Sequence, residues 1–125
     1  MTTDHPIFKQ SIQIIKSQLG CTGLNPVQQQ VLERLIHTTG DFSIQPFLKF
    51  SPSACEIGIS ALKAGSPILT DTSMAAAAVA PMASRTLSST VKCVLDWAPE
   101  DTAYGLTRTA IGMRKAWDEI SNQFV

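Results

Sequence analysis

Phe8, Ile12, Ile15 and Leu19 recur at steps of three and four residues, which draws one apolar stripe along a helix. The spacing predicts a first helix over residues 6–19, capped by Asp4 or Thr3 and stopped by Gly20-Cys21-Thr22-Gly23. Asn25-Pro26 opens a second helix, with Asn as the N-cap and Pro at the first helical position. Its stripe is Val27, Val31 and Leu35, and it runs out over residues 37–40, so His37 falls in its last turn. A third helix is expected to start at Ser51-Pro52, turn Ile57, Ala61 and Leu62 inward, and end at Gly65.

The pattern then changes. Pro67-Ile68-Leu69-Thr70-Asp71 is a short apolar run ending in a carboxylate, and Val91-Lys92-Cys93-Val94-Leu95-Asp96 repeats it. Between them, the small residues of 74–83 read as a helix ended near Pro81. Strand, helix, strand in that order predicts parallel pairing through a right-handed crossover. In the last helix, over residues 106–120, Leu106, Ala110, Met113, Trp117 and Ile120 share one face. Arg108, Arg114, Lys115 and Glu119 turn toward water. The fold class is α/β: a parallel sheet flanked by helices, in a single domain over residues 1–125.

Composition narrows the functions. Apolar residues make up 44% of the 125-residue chain and charged ones 16%, an ordinary globular balance that buries one modest core. Ten acidic residues offset ten basic ones, so no nucleic acid or anionic membrane is called for as a partner. No apolar stretch approaches the roughly 20 residues that span a bilayer, and residues 1–6 hold no signal-peptide core. Cys21, Cys55 and Cys93 are odd in number and widely spaced, which points to reduced thiols in a cytoplasmic protein rather than a disulfide framework or a zinc site.

Two candidate chemistries remain. Parallel strands ending in Asp71 and Asp96 would set both carboxylates along the carboxyl edge of the sheet, where open α/β sheets bind ligands. Asp after a strand also caps the following helix, and for Asp71, ahead of Thr72 and Ser73, capping is the favoured reading. Asp96, ahead of Trp97 and Pro99, suits capping less well. His37 has the side chain whose ordinary titration range spans neutral pH, which suits proton transfer. A histidine at a helix end can equally be structural, placed by the negative end of the helix dipole. No Ser-His-Asp order, metal-ligand cluster or Gly-rich phosphate loop supports another chemistry.

Several segments together resemble the precorrin-8X methylmutase family. Glu33-Arg34-Leu35-Ile36-His37-Thr38-Thr39-Gly40-Asp41-Phe42 is similar to its histidine motif, and Phe50-Ser51-Pro52-Ser53-Ala54 to its Phe-Ser-Pro helix start. Ala61-Leu62-Lys63-Ala64-Gly65-Ser66-Pro67-Ile68-Leu69-Thr70-Asp71, followed by Met74, resembles its helix–strand unit, and Thr107-Arg108-Thr109 its late helix start. Order and spacing agree over nearly the whole chain, most closely with cyanobacterial-type members.

The resemblance implies a cofactor-free isomerisation in cobalamin biosynthesis, and no metal-binding residue is expected. A methyl group moves between neighbouring carbons of one pyrrole-derived ring, turning precorrin-8X into hydrogenobyrinic acid, or the cobalt form into its counterpart. It implies proton transfer for His37 and a substrate-facing role for Arg108, whose planar fork suits the macrocycle's carboxylates; a plain surface arginine of the first helical turn is the alternative. It also implies a homodimer.

Two departures stand out. Met74-Ala75-Ala76-Ala77-Ala78-Val79 lacks the glycine that the family carries here. The chain also stops at Phe124-Val125, where the family enters its next strand, ahead of a Gly-Asn-Ala-Pro-Thr-Ala-Leu segment and a later Gly-rich one. A strand edge in need of a completing partner is therefore expected. A non-catalytic tetrapyrrole-binding protein and a structural subunit paired through that edge are the competing readings.

Overall fold

Capping chemistry sets where the first two helices begin. In the computed structural model, which describes residues 4–101 and 105–121, α1 spans Pro6–Leu19 and α2 spans Pro26–Thr39. The cap of α1 is His5 rather than Asp4: its Nδ1 accepts the Ile7 N–H at 3.2 Å. Asp4 is engaged elsewhere, 3.5 Å from the Arg34 guanidinium, and Thr3 lies outside the described residues. At α2, Asn25 accepts the N–H groups of Val27 and Gln28 at 3.1 and 2.9 Å, while the Gln28 side chain accepts the Asn25 N–H at 3.2 Å. This reciprocal box satisfies donors that the helix start would otherwise orphan. Gly40 closes α2 in the left-handed region, at φ 68° and ψ 11°, and donates its N–H to the Ile36 carbonyl.

The chain divides into two compact units, Met1–Ile57 and Gly58–Val125. In the first, Ile15, Leu32 and Ile36 form the buried cluster, with Ile12, Leu19, Leu24, Phe42, Ile44 and Leu48 packed around it. A 3-10 helix, Phe42–Phe47, follows α2. The inward face of α2 therefore differs from the expected Val27–Val31–Leu35 stripe. Leu32 and Ile36 are buried, whereas Leu35 is exposed. The apolar arc of this helix is broad enough to present either edge, and packing against α1 and the 3-10 helix selects one. Glu33 is buried as well, at 3% exposure. Its carboxylate accepts a hydrogen bond from Gln29 Nε2 at 3.1 Å and lies 3.9 Å from Lys16 Nζ, partners that offset the loss of water.

The third helix, α3, spans Ala54–Lys63 and begins after a turn at residues 52–53, later than Ser51-Pro52 suggested. Ile57, expected inward, is exposed, while Ala61 and Leu62 are half-buried. In the second unit, Ser89 Oγ donates to the Leu62 carbonyl, in the last turn of α3, at 3.3 Å. Gly65, at φ 85°, stops the helix. Its N–H donates to the Leu62 carbonyl and that of Ser66 to the Ala61 carbonyl, the paired bonds of a Schellman ending.

In the second unit, β1 (Ile68–Thr70) and β2 (Val91–Cys93) pair in parallel, with Ile68, Leu69 and Thr70 opposite Val91, Lys92 and Cys93. The connecting helix α4, Ser73–Thr86, packs on both strands. It runs through Pro81 instead of ending there. Proline costs a helix its bond to the carbonyl four residues back. Here Pro81 and Ala77 are both exposed, so water can serve that carbonyl. Beyond Cys93 the second expected strand turns into a 3-10 helix, Val94–Trp97.

The last helix, α5, spans Arg108–Ser121 and buries Gly112, Ala116 and Ile120. The Leu106, Met113 and Trp117 positions of the expected inner face are exposed. The cause is a backbone approach: a Cβ on Gly112 would lie 2.2 Å from the Val94 carbonyl oxygen. Small residues are what this contact admits, so the face that carries them packs inward and the bulky stripe turns out. Arg108, Arg114, Lys115 and Glu119 are exposed as expected, and Glu119 accepts the Trp97 indole N–H at 2.6 Å.

The described residues are thus mostly helical, with one small parallel sheet in the second unit, in keeping with the α/β class. Among the described residues no helix is long and apolar enough to cross a membrane. Residues 122–125, read from sequence as the entry to a further strand, lie outside the described residues.

Candidate functional site

His37 sits in the last turn of α2, one turn beyond Arg34, and its side chain is exposed. Its imidazole meets the Phe8 ring of α1 edge to face, with centroids 4.9 Å apart and planes at 71°. The Arg34 guanidinium covers the same phenyl ring, 4.1 Å from its centroid. Beside the histidine opens a groove of about 310 Å³, walled by Ile14, Ile15, Ile36 and Phe42, with Ser11 and Gly40 at its polar positions. An imidazole on the lip of an apolar groove can exchange protons with a flat conjugated ligand without first burying a charge. Following the helix, Asp41 Oδ1 accepts the Ser43 N–H at 2.8 Å. The Ser43 side chain, and then its backbone N–H, hold the Asp41 carboxyl below the usual carboxylate range.

The other three candidates belong to the second unit. Asp71 directly follows β1 and is exposed. The capping role expected for it falls to its neighbour: Thr72 Oγ1 accepts the Ala75 N–H at 3.2 Å and is the N-cap of α4. Asp96 does not end a strand. It lies three positions past Cys93, exposed within the 3-10 helix, because the chain leaves the sheet as soon as Thr70 and Cys93 have paired. Both carboxylates still follow the carboxyl ends of paired parallel strands.

Arg108 is the first residue of α5, after Thr107, whose Oγ1 accepts the Ala110 N–H at 3.2 Å. The Arg108 side chain is exposed, and its Nε donates to the Pro99 carbonyl at 3.0 Å. That bond ties the Nε edge of the guanidinium to the Pro99 carbonyl.

Sequence reasoning singled out His37 without the Phe8 and Arg34 side chains that surround it. Arg34 was accessible in principle, since residues three apart share a helix face. Phe8 was not, because its contact spans two helices. Gly112 was also missed; a glycine inside an otherwise strong helix pattern was the available signal. The thiols divide into exposed Cys21, half-buried Cys55 and buried Cys93. Among the described residues no group of three or more His, Cys, Asp or Glu side chains is placed to hold a metal.

With this geometry in place, comparison with known proteins is specific. The sequence pattern of the CbiC family, precorrin-8X methylmutase, matches residues 6–125, and the chain belongs to that family. It is 32% identical over 120 residues to the precorrin-8X methylmutase of Pseudomonas aeruginosa, covering 90% of this chain and 55% of the relative. It is 27% identical over 124 residues to the cobalt-precorrin-8 methylmutase of a Synechocystis strain, covering 88% of this chain and 57% of the relative. The crystal structure of the precorrin-8x methyl mutase from Thermus thermophilus superposes with a TM-score of 0.75 at 32% identity, over 90% of this chain and 55% of that one. The chain therefore spans about half the length of the curated relatives it matches.

Proposed function

We propose that this chain takes part in the methyl shift that converts precorrin-8X into hydrogenobyrinic acid, or the cobalt form into its counterpart. It acts on a corrinoid tetrapyrrole in the cytoplasm, without a cofactor, as a homodimer or with a completing partner. The observation that carries the reading is His37, exposed in a stretch matched to the family and set on the lip of an apolar groove. His37 exchanges a proton with the macrocycle, which changes the charge distribution over the conjugated ring and eases migration of the methyl group to the neighbouring carbon. In the second unit, Arg108 has the remaining donors of its planar fork to offer to a ligand carboxylate. In the same unit, Asp71 and Asp96, beyond the strand ends, are the side chains suited to hold polar groups of a ligand.

The test is to mix the purified chain with precorrin-8X and follow the absorption spectrum, then repeat with His37→Ala. Conversion should fall by about 10²–10⁴-fold in the variant, the usual worth of general acid–base help, while product affinity and melting temperature stay near wild type. A spectral shift without conversion would make the chain a tetrapyrrole-binding protein instead. No shift at high micromolar ligand would end both readings.

A further inference from the structure

We infer that Phe8 is a positioning residue for His37, clamped in place by Arg34; the inference rests on the proton-transfer role proposed for that histidine. Among the described residues neither imidazole nitrogen of His37 has a hydrogen-bond partner, so what orients the ring is packing. Catalytic histidines are commonly aimed by a hydrogen bond at the nitrogen that does not react. Here the edge-to-face contact with Phe8, at 4.9 Å and 71°, takes that place. It leaves both nitrogens open to ligand.

The clamp is built from two helices. Arg34 and His37 lie three residues apart on α2, so both side chains reach the same side of that helix, where α1 presents Phe8. The guanidinium stacks on the phenyl ring at 4.1 Å. It is tethered by Asp4 at 3.5 Å, one helical turn ahead of Phe8 in sequence. Asp4, Arg34, Phe8 and His37 therefore form a continuous column in which each member restricts the next. A phenyl ring held on one side by a cation has fewer orientations open to it, and the imidazole packed against it inherits that restriction. An aliphatic side chain of similar bulk would fill the space without supplying a face or an edge.

The experiment compares wild type with Phe8→Leu, Phe8→Tyr and Arg34→Gln, using NMR of the His37 ring protons together with methyl-shift kinetics. In Phe8→Leu the His37 ring resonances should lose their aromatic ring-current shift and broaden, and kcat should drop roughly tenfold with KM little changed, as expected for a misaimed group. Phe8→Tyr should restore both, and Arg34→Gln should give a weaker loss of the same sign. His37 resonances that do not move in Phe8→Leu would overturn the inference, as would full kcat in a variant whose resonances do move. If wild type itself shows no turnover, the functional reading falls, and with it the catalytic consequence of the clamp. The NMR arm then still decides whether Phe8 orients the ring. Should Phe8→Leu fail to fold, Arg34→Gln carries the same two readouts.

Discussion

The α-carbon of Gly112 in α5 lies so close to the Val94 carbonyl that an added Cβ would sit 2.2 Å from its oxygen and 2.9 Å from its carbon. Both are backbone atoms of the 3-10 helix that follows β2, so neither can swing aside as a flexible side chain would. Glycine inside a helix normally costs about 1 kcal/mol relative to alanine. Here Gly112→Ala should instead destabilise the protein, by about 1–3 kcal/mol or more, because overpacking outweighs the gain in helix propensity. Urea unfolding of the two proteins decides the sign.

The phase of α2 is open to the same kind of measurement. Leu32 is fully buried while Leu35, on the expected stripe, is 38% exposed. Leu32→Ala should cost about 2–5 kcal/mol, the range for a large-to-small change in a packed core. Leu35→Ala should cost much less. Equal losses in chemical denaturation would mean that the helix is turned as the stripe alone suggested.

Pro81 offers a stabilising change. It lies within α4, exposed, with the carbonyl of Ala77 deprived of its helical partner. Pro81→Ala should restore that hydrogen bond and raise stability by about 1–3 kcal/mol, seen as a higher melting temperature. A lower melting temperature would show that the proline fits a bend which the rest of the unit requires.

Asp41 sets a weak acid dependence. Its folded carboxyl titrates below its ordinary value because the Ser43 hydroxyl and N–H favour the charged form. A lowered folded value means that the contribution is present above the unfolded range and is lost as pH falls through the folded one. Wild type should therefore lose stability on acidification below the usual carboxylate range, and Asp41→Asn, which keeps an acceptor without the charge, should lose less. Melting curves between neutral pH and about pH 2 compare the slopes, since linkage ties slope to protons taken up.

Features set by a few adjacent residues were legible in the sequence. Asn25-Pro26 and Gly40 bracket α2, the Gly20–Gly23 segment ends α1, and the two apolar runs became parallel strands. His37 was placed correctly in a last helical turn, since that position follows from the helix boundaries alone. Caps and stops act through hydrogen bonds spanning about four residues, so the information lies where the effect is.

What only the tertiary structure decided depends on partners far along the chain. The buried face of α5 is chosen by a backbone approach between Gly112 and Val94, and that of α2 by α1 and the 3-10 helix. Asp96 was carried off the strand end by a chain that leaves the sheet at Cys93, and the cap of α4 passed from Asp71 to Thr72. The column from Asp4 through Arg34 and Phe8 to His37 joins two helices, and no local pattern encodes it. Hydrophobic periodicity says that a helix has an apolar side; which side is buried is settled by the volumes and backbone clearances of whatever packs against it.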